Sequence, residues 1–215
     1  MSKEQLILVG GGGHCKSVID VVEASGQFSI AGIVDTREKL GTTQSGYAVV
    51  ATDDDIEALT REYRYFLVTV GQIRSSAVRT RLFHLIKSQG GTLPTLISPT
   101  AYVSQRARIG EGTVIHHQTF VNAGAHIGVN CIINTASLIE HDARIGDHCH
   151  VSTGAVVNGN CSVGDHCFVG SRAVLSHGIH VAPNALIGAG AVLLTHTEAG
   201  GLYAGNPAVL KKRLA

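Results

Sequence analysis

With 215 residues, 44% of them hydrophobic, the chain has material for one large domain or two small ones around a proper core, which excludes a disordered polypeptide. Its 17 Lys and Arg against 16 Asp and Glu leave no footprint for nucleic acid or an anionic membrane, so a small ligand is the better expectation. No apolar run reaches the length of a membrane span, and MSKEQLILVG passes straight into a strand-like segment rather than a cleavable signal, which points to the cytoplasm.

The first predicted strand, Gln5–Gly10, ends in Gly10-Gly11-Gly12-Gly13-His14, after which Ser17, Val18, Val21 and Val22 suggest an amphipathic helix. A glycine loop between strand and helix lets backbone N–H groups approach an anion at the helix N-terminus. The spacing completes neither a G-x-G-x-x-G fingerprint nor a P-loop, and on its own it reads equally as a tight structural turn. Further strands are expected at Phe28–Asp35, Tyr47–Val50, Tyr65–Gly71 and Thr92–Ile97, with helices near Asp53–Glu62 and Ile73–Gln89. Such alternation predicts a Rossmann-like α/β domain with a mainly parallel sheet. Asp35 and Gly71 end two of its strands on the same edge as the glycine loop. Either could serve only a turn or a helix start, but three candidates at one edge favour a ligand.

From Ile97 the chain changes character. Every sixth residue, through Val103, Ile109, Ile115 and so on to Ile187, is aliphatic, 16 positions in all. The position after it is mostly Gly, Ser or Asn, as in Gly110, Asn122, Gly128, Gly146, Gly164, Gly170 and Gly188, which suit tight backbone turns. A hexad that always presents its aliphatic residue to one interior is the pattern of a parallel β-helix. We therefore divide the chain into an α/β domain, residues 1–95, and a hexapeptide-repeat β-helix, residues 96–215, in which three hexads make each coil at the usual strand spacing of about 4.8 Å.

The same register accounts for the cysteines. Cys131, Cys149, Cys161 and Cys167 fall four residues after the aliphatic position, in a column otherwise held by alanines such as Ala125, Ala143 and Ala155, and are expected as small core residues rather than metal ligands or disulfides. Cys15, outside the repeat, is expected as an ordinary thiol on a helix surface. Most of the 12 histidines are expected on solvent-facing turns, with His148 and His166, in two GDHC units, as decoration of the repeat.

Three motifs, GGGGHCKSVID, LIEHDARIGDHCHVSTGAVVNG and YAGNPAVLKK, make the chain resemble the sialic-acid O-acetyltransferase family over essentially its full length. That family includes bacterial enzymes that N-acetylate nucleotide-linked 4-amino sugars, and the nearest resemblance is to those acting on UDP-linked 4-amino sugars and on GDP-perosamine. The resemblance implies left-handedness of the β-helix, acetyl-CoA as co-substrate, no metal, and a homotrimer with active sites between subunits. It implies His141 as general base, with Asp142 raising its basicity. Most relatives carry Glu there, and Asp142 associates the chain with the GDP-perosamine branch. It implies that Gly12, Gly13, His14, Asp35, Thr36 and Gly71 contact the nucleotide sugar, that His150, Gly159, Ser171 and Ala189 contact CoA, and that the tail around Asn206-Pro207 closes over the cofactor. The chain departs from relatives at Ala189, where one has Gly, and at Asp35-Thr36, where one has two acidic residues.

Such chemistry suits these residues. A sugar ammonium must lose its proton before or during attack on a thioester, and an imidazole with a pKa near 6.5 can take it. Gly159 follows His141 by 18 residues, one coil on, so its backbone N–H is a candidate oxyanion donor. A zinc enzyme of the γ-carbonic-anhydrase kind would need a His-x₄-His pair, which the sequence lacks. O-acetylation of a sialic-acid-like sugar, and a non-catalytic sugar-nucleotide sensor or β-helix scaffold, are the other readings.

Overall fold

The computed structural model describes residues 3–214. Strand β1 (Glu4–Val9) occupies an interior position in a five-stranded sheet with β2 (Phe28–Val34), β3 (Thr43–Gln44), β4 (Tyr47–Ala51) and β5 (Tyr65–Val68), in the order β3-β4-β2-β1-β5. All pairings are parallel except the short hairpin β3–β4, which the sequence reading did not anticipate. Helix α1 (Gly13–Ser25) covers one side, while α2 (Ile56–Glu62) and α3 (Ala77–Ser88) supply Ile56, Leu82, Phe83 and Ile86 to the core on the other. Cys15 is fully buried in the α1 core, contrary to its expected place on a surface, and burial pushes its thiol up.

The expected strand Thr92–Ile97 divides. Thr92 makes a single bridge to Tyr65, whereas Leu96–Ile97 pairs with Val114–Ile115 and is already part of the β-helix. Seventeen two-residue strands follow one another from Leu96–Ile97 to Val192–Leu193 and form three faces. We name these the first, second and third after their opening strands Leu96–Ile97, Tyr102–Val103 and Arg108–Ile109, and number the corners that follow each face likewise. The inward aliphatic residues, among them Val121, Ile139, Val157 and Leu175, make one continuous core with the alanine and cysteine column. The four repeat cysteines are free and buried, and Cys131, Cys149, Cys161 and Cys167 each donate Sγ–H to a carbonyl of the next coil.

The glycines after the aliphatic position serve a different purpose from the one expected. The left-handed backbone falls two residues later, at Asn130, Asp142, Asn160 and their equivalents. Gly110 and Gly128 are required by contact instead: a Cβ on Gly110 would lie 2.6 Å from the Gly128 carbonyl, and one on Gly128 2.7 Å from the Gly146 carbonyl. Coil stacks on coil through bare backbone there.

The α/β domain sits on the first face. Leu96 and Val114 of that face belong to the same core as α1. The expected strand Tyr65–Gly71 ends at Val68 and the helix expected from Ile73 starts at Ala77; between them the chain runs across the β-helix, where Gln72 Nε2 donates to the His148 carbonyl (3.0 Å) and Ser76 bonds His166 (2.8 Å). His148 is buried, stacked on His166 and packed against Phe83, so this pair anchors α3 rather than decorating a solvent-facing turn. Arg79, 1% exposed, donates to the carbonyls of Val68, Val70 and Asn130 and to Asn130 Oδ1. Burial lowers its pKa to about 10, which leaves it charged at neutral pH. The last strands, Gly201–Ala204 and Val209–Arg213, form a hairpin whose first arm pairs with Leu186–Ile187 and closes the far end, with Asn206-Pro207 in its turn. Because Arg79→Ala leaves several buried carbonyls without a donor, it should lower unfolding stability by about 2–4 kcal/mol in urea titrations. Arg79→Met, which keeps the packed stem, should recover part of this.

Candidate active site

The glycine loop is held from three sides. Gly10 adopts φ +111° against Val70, where any Cβ would meet Val70 Cγ2 at 2.4 Å. Gly11 N–H donates to Asp35 Oδ2 (2.8 Å), and Gln44 Nε2 donates to the carbonyls of Gly11 (2.9 Å) and Gly12 (3.2 Å). Gln44 stands on the unanticipated hairpin, so nothing in the hydrophobic pattern pointed to it. With these carbonyls engaged, Gly12 and Gly13 stand open at the α1 N-terminus, where a Cβ would meet nothing within 4 Å. Asp35 receives Thr36 N–H at Oδ1 and Lys39 Nζ at Oδ2, each 2.8 Å. Burial opposes ionisation of Asp35, but Lys39 and the two N–H donors outweigh it and hold the carboxyl below its ordinary pKa.

All of the expected nucleotide-sugar residues but Gly12 line two neighbouring cavities. One, of about 320 Å³, has Asp35, Thr36, Asp53 and Arg81 on a slot walled by Val34, Val70 and Leu82. The other, of about 450 Å³, joins Gly13, His14 and Gly71 to Asn134 and His150 of the β-helix. His150, expected at CoA, thus stands with His14 on the domain side, its Nδ1 2.6 Å from the Gln72 carbonyl and its Nε2 3.3 Å from Asn134 Nδ2. Ser171 and Ala189 lie on the first corner, with Ser171 Oγ 2.9 Å from Ser152 Oγ.

His141 and Asp142 are elsewhere, on the second corner, between strands Leu138–Ile139 and Arg144–Ile145. Asp142 does reach the ring: its Oδ2 is 3.0 Å from His141 Nδ1, in an exposed pair. Asp142 takes φ +62°, which swings its carboxylate back to its neighbour's imidazole and against Gly124, one coil below. On the other side the ring lies over Gly159, where a Cβ would come 2.6 Å from His141 Nε2. The Gly159 N–H has no acceptor among the described residues. His177 leans in from the coil beyond to a ring separation of 6.3 Å, and its Nε2 is 3.3 Å from Asn160 Nδ2. In one chain, then, His141 and Gly159 share the second corner, while Ser171, Ala189 and the His14 cavity share the first.

His116 was not singled out by the sequence, since it occupies an ordinary corner position. It is 1% exposed, its ring is 5.2 Å from that of His14, and neither of its nitrogens has a hydrogen-bond partner among the described residues. Burial, then the neighbouring His150, lowers its pKa to about 4; burial also brings His150 to about 4 and, with His116, holds His14 well below its ordinary value. Among the described residues no group of three or more His, Cys, Asp or Glu could hold a metal, and no helix is long and apolar enough to cross a membrane. Unfolded histidines titrate near 6.5. Between that value and about 4 the unfolded chain binds more protons than the folded one, so stability is complete above pH 6.5 and is lost as the pH falls through that window. Thermal melts between pH 7.5 and 4.5 should show this, with a shallower slope for His116→Gln.

Comparison with known proteins extends along the whole chain. Residues 5–86 match the PglD N-terminal domain and residues 97–200 the GMPPB C-terminal domain. The UDP-N-acetylbacillosamine N-acetyltransferase of Bacillus subtilis is 32% identical over 117 residues, 52% of this chain and 51% of that relative, so the match spans about half of the curated relative's length. PerB of Caulobacter crescentus, solved with CoA and GDP-perosamine, is 31% identical over 97% of both chains, with a TM-score of 0.91. The acetyltransferase domain of PglB of Neisseria gonorrhoeae, solved with acetyl coenzyme A, is 32% identical over 99% of this chain and 100% of that one, with a TM-score of 0.90. The expected architecture, an α/β domain followed by a left-handed β-helix, is theirs as well. On sequence and fold together, this chain belongs to the PglD-type family of left-handed β-helix sugar N-acetyltransferases.

Proposed function

We propose that the chain is an acetyl-CoA-dependent N-acetyltransferase acting in the cytoplasm on the 4-amino group of a nucleotide-linked 4-amino-deoxysugar, with GDP-perosamine the favoured acceptor. The observation that carries this reading is the His141–Asp142 pair, with Nδ1 at 3.0 Å from the carboxylate and Nε2 turned to the bare backbone of Gly159. With Nδ1–H donated to Asp142, Nε2 keeps its lone pair and can take a proton. The sugar amine attacks the thioester carbonyl carbon and passes its proton to Nε2. The tetrahedral oxyanion is met by the Gly159 N–H, and collapse expels the CoA thiolate, which collects the proton. GDP-perosamine is favoured by the likeness to PerB and by Asp142; a UDP-linked 4-amino sugar is the runner-up, favoured by the Bacillus subtilis relative.

The division of candidate residues between two corners supports a homotrimer. The outward ladder of the second face, Tyr102, Phe120, Leu138, Val156, Val174 and Val192, is apolar from end to end. Tyr102 and Phe120 remain 55% and 38% exposed in the single chain, with their rings stacked at 4.7 Å. Covering this ladder by packing three second faces about a common axis brings the second corner of one copy beside the first corner of the next. His141 and Gly159 of one copy would then adjoin Ser171, Ala189 and the Gly12, Gly13, His14 cavity of its neighbour, with Asp35, Thr36 and Gly71 behind. CoA would run in the groove along these corners, with His150 at its domain side and the Asn206-Pro207 turn near its upper end.

Thiol release from acetyl-CoA, measured with GDP-perosamine, UDP-linked 4-amino sugars and free sialic acid in parallel, tests the assignment; turnover on sialic acid alone would replace it with O-acetylation. His141→Ala should cost 10²–10⁴-fold in kcat, on the order expected for a lost general base. Gly159→Ala should cost at least about tenfold by displacing the ring, with the fold unchanged by circular dichroism. Phe120→Glu should yield monomers in light scattering together with loss of turnover, whereas an active monomer would refute the shared-groove arrangement.

A further inference from the structure

The third face and the corner before it carry three arginines that no carboxylate among the described residues neutralises. Arg108, His126 and Arg144 occupy successive rungs of one outward column, in register. With Arg106 from the second corner they line a surface cavity of about 360 Å³ floored by Gly124 and Ala125. Arg108 and Arg144 stand two rungs apart, about 9.6 Å at the usual strand spacing, on either side of His126. Some exposed cations pair with carboxylates, as in Arg81–Asp53, Arg61–Glu57 and Lys87–Glu111, and others, such as Arg64 and Arg172, do not among the described residues; what sets the third-face arginines apart is that they converge on one cavity. No carboxylate lies within 4.0 Å of Arg106, Arg108 or Arg144 among the described residues. The nearby Asp142 borders the cavity at Gly124, but its Oδ2 is engaged by His141.

Two features of position indicate the kind of anion these arginines suit. Apart from Arg144, on the same coil as His141, the residues lining the cavity lie on the coils before it, whereas Gly159, Ser171 and Ala189 lie on the coils beyond it. The cavity therefore flanks the base on the side opposite the candidate CoA residues, where the acceptor must approach. Around a threefold axis inside the second faces, the third face of each copy also turns toward the first face of the next, and that face carries the α/β domain with its glycine loop. Guanidinium groups bind phosphate oxygens through paired N–H donors. We propose that Arg106, Arg108 and Arg144 form an anion site that grips, from a neighbouring copy, the diphosphate of the nucleotide sugar held on the α/β domain.

This rests on the acetyltransferase reading, so the test has an arm independent of turnover. Inorganic pyrophosphate is titrated calorimetrically into wild type and into Arg106→Gln/Arg108→Gln/Arg144→Gln, whose exposed substitutions should leave the melting temperature nearly unchanged. The expected result is at least about tenfold weaker pyrophosphate binding and a similar rise in the KM for GDP-perosamine, with less than about a twofold change in the KM for acetyl-CoA. Loss of pyrophosphate binding without turnover of any sugar would leave the anion site standing and remove the acetyltransferase reading. Unchanged pyrophosphate affinity would overturn the proposal. So would a rise confined to the acetyl-CoA KM, which would assign the arginines to CoA, or dissociation to monomers, which would assign them to subunit packing.

Discussion

The six-residue register governs nearly everything in this molecule. Each hexad spends one aliphatic residue and one small residue on the interior, from Ile97 with Ala101 through Ile187 with Ala191, and that suffices to close the β-helix. The rest of each hexad is released from packing duty and fixed in space to within a strand spacing. Outward residues become vertical ladders, and corner residues become columns one coil apart. An apolar ladder on the second face, one bearing Arg108 and Arg144 on the third and a domain-covered one on the first are three uses of the same freedom.

The register also explains what was legible in the sequence. The β-helix, its core and the four structural cysteines follow from period alone, and the strand–loop–helix opening of the first domain from its hydrophobic alternation. The contact between His141 and Asp142 does not follow from their order in the chain, because adjacent side chains on an extended backbone point apart. Only the left-handed backbone at the Asp142 corner turns them together. The glycines illustrate the reverse case. Sequence reasoning located them correctly but attached the wrong cause, since Gly110 and Gly128 answer to the carbonyl one coil away, a neighbour 18 residues distant.

Interface residues were the least legible. His148 and His166 looked like surface positions because each belongs to a locally polar stretch, and the burial of His148 and the partial burial of His166 depend on how one domain lies on the other, while Cys15 is covered by the sheet of its own domain. Gln44 and His116 gave no signal for the same reason. A side chain that fixes a loop across a hairpin, or that closes a gap between two domains, has no period to betray it.

The contacts that seat the α/β domain bear on how the β-helix holds together. A stack of coils is by itself nearly one-dimensional, and each coil leans only on its neighbours, so such a stack frays from either end one rung at a time. Here Asp20 bonds His117, Arg79 bonds Asn130, Gln72 bonds His148 and His150, and Ser76 bonds His166. These ties strap coils together across a span of some fifty residues, so none of the strapped rungs can open without loosening the domain as a whole. Cooperativity is thereby imported from the globular part into the repetitive one. Among the described residues the coils beyond that of His166 make no such ties and depend on the closing hairpin, so they form the more loosely coupled end of the molecule.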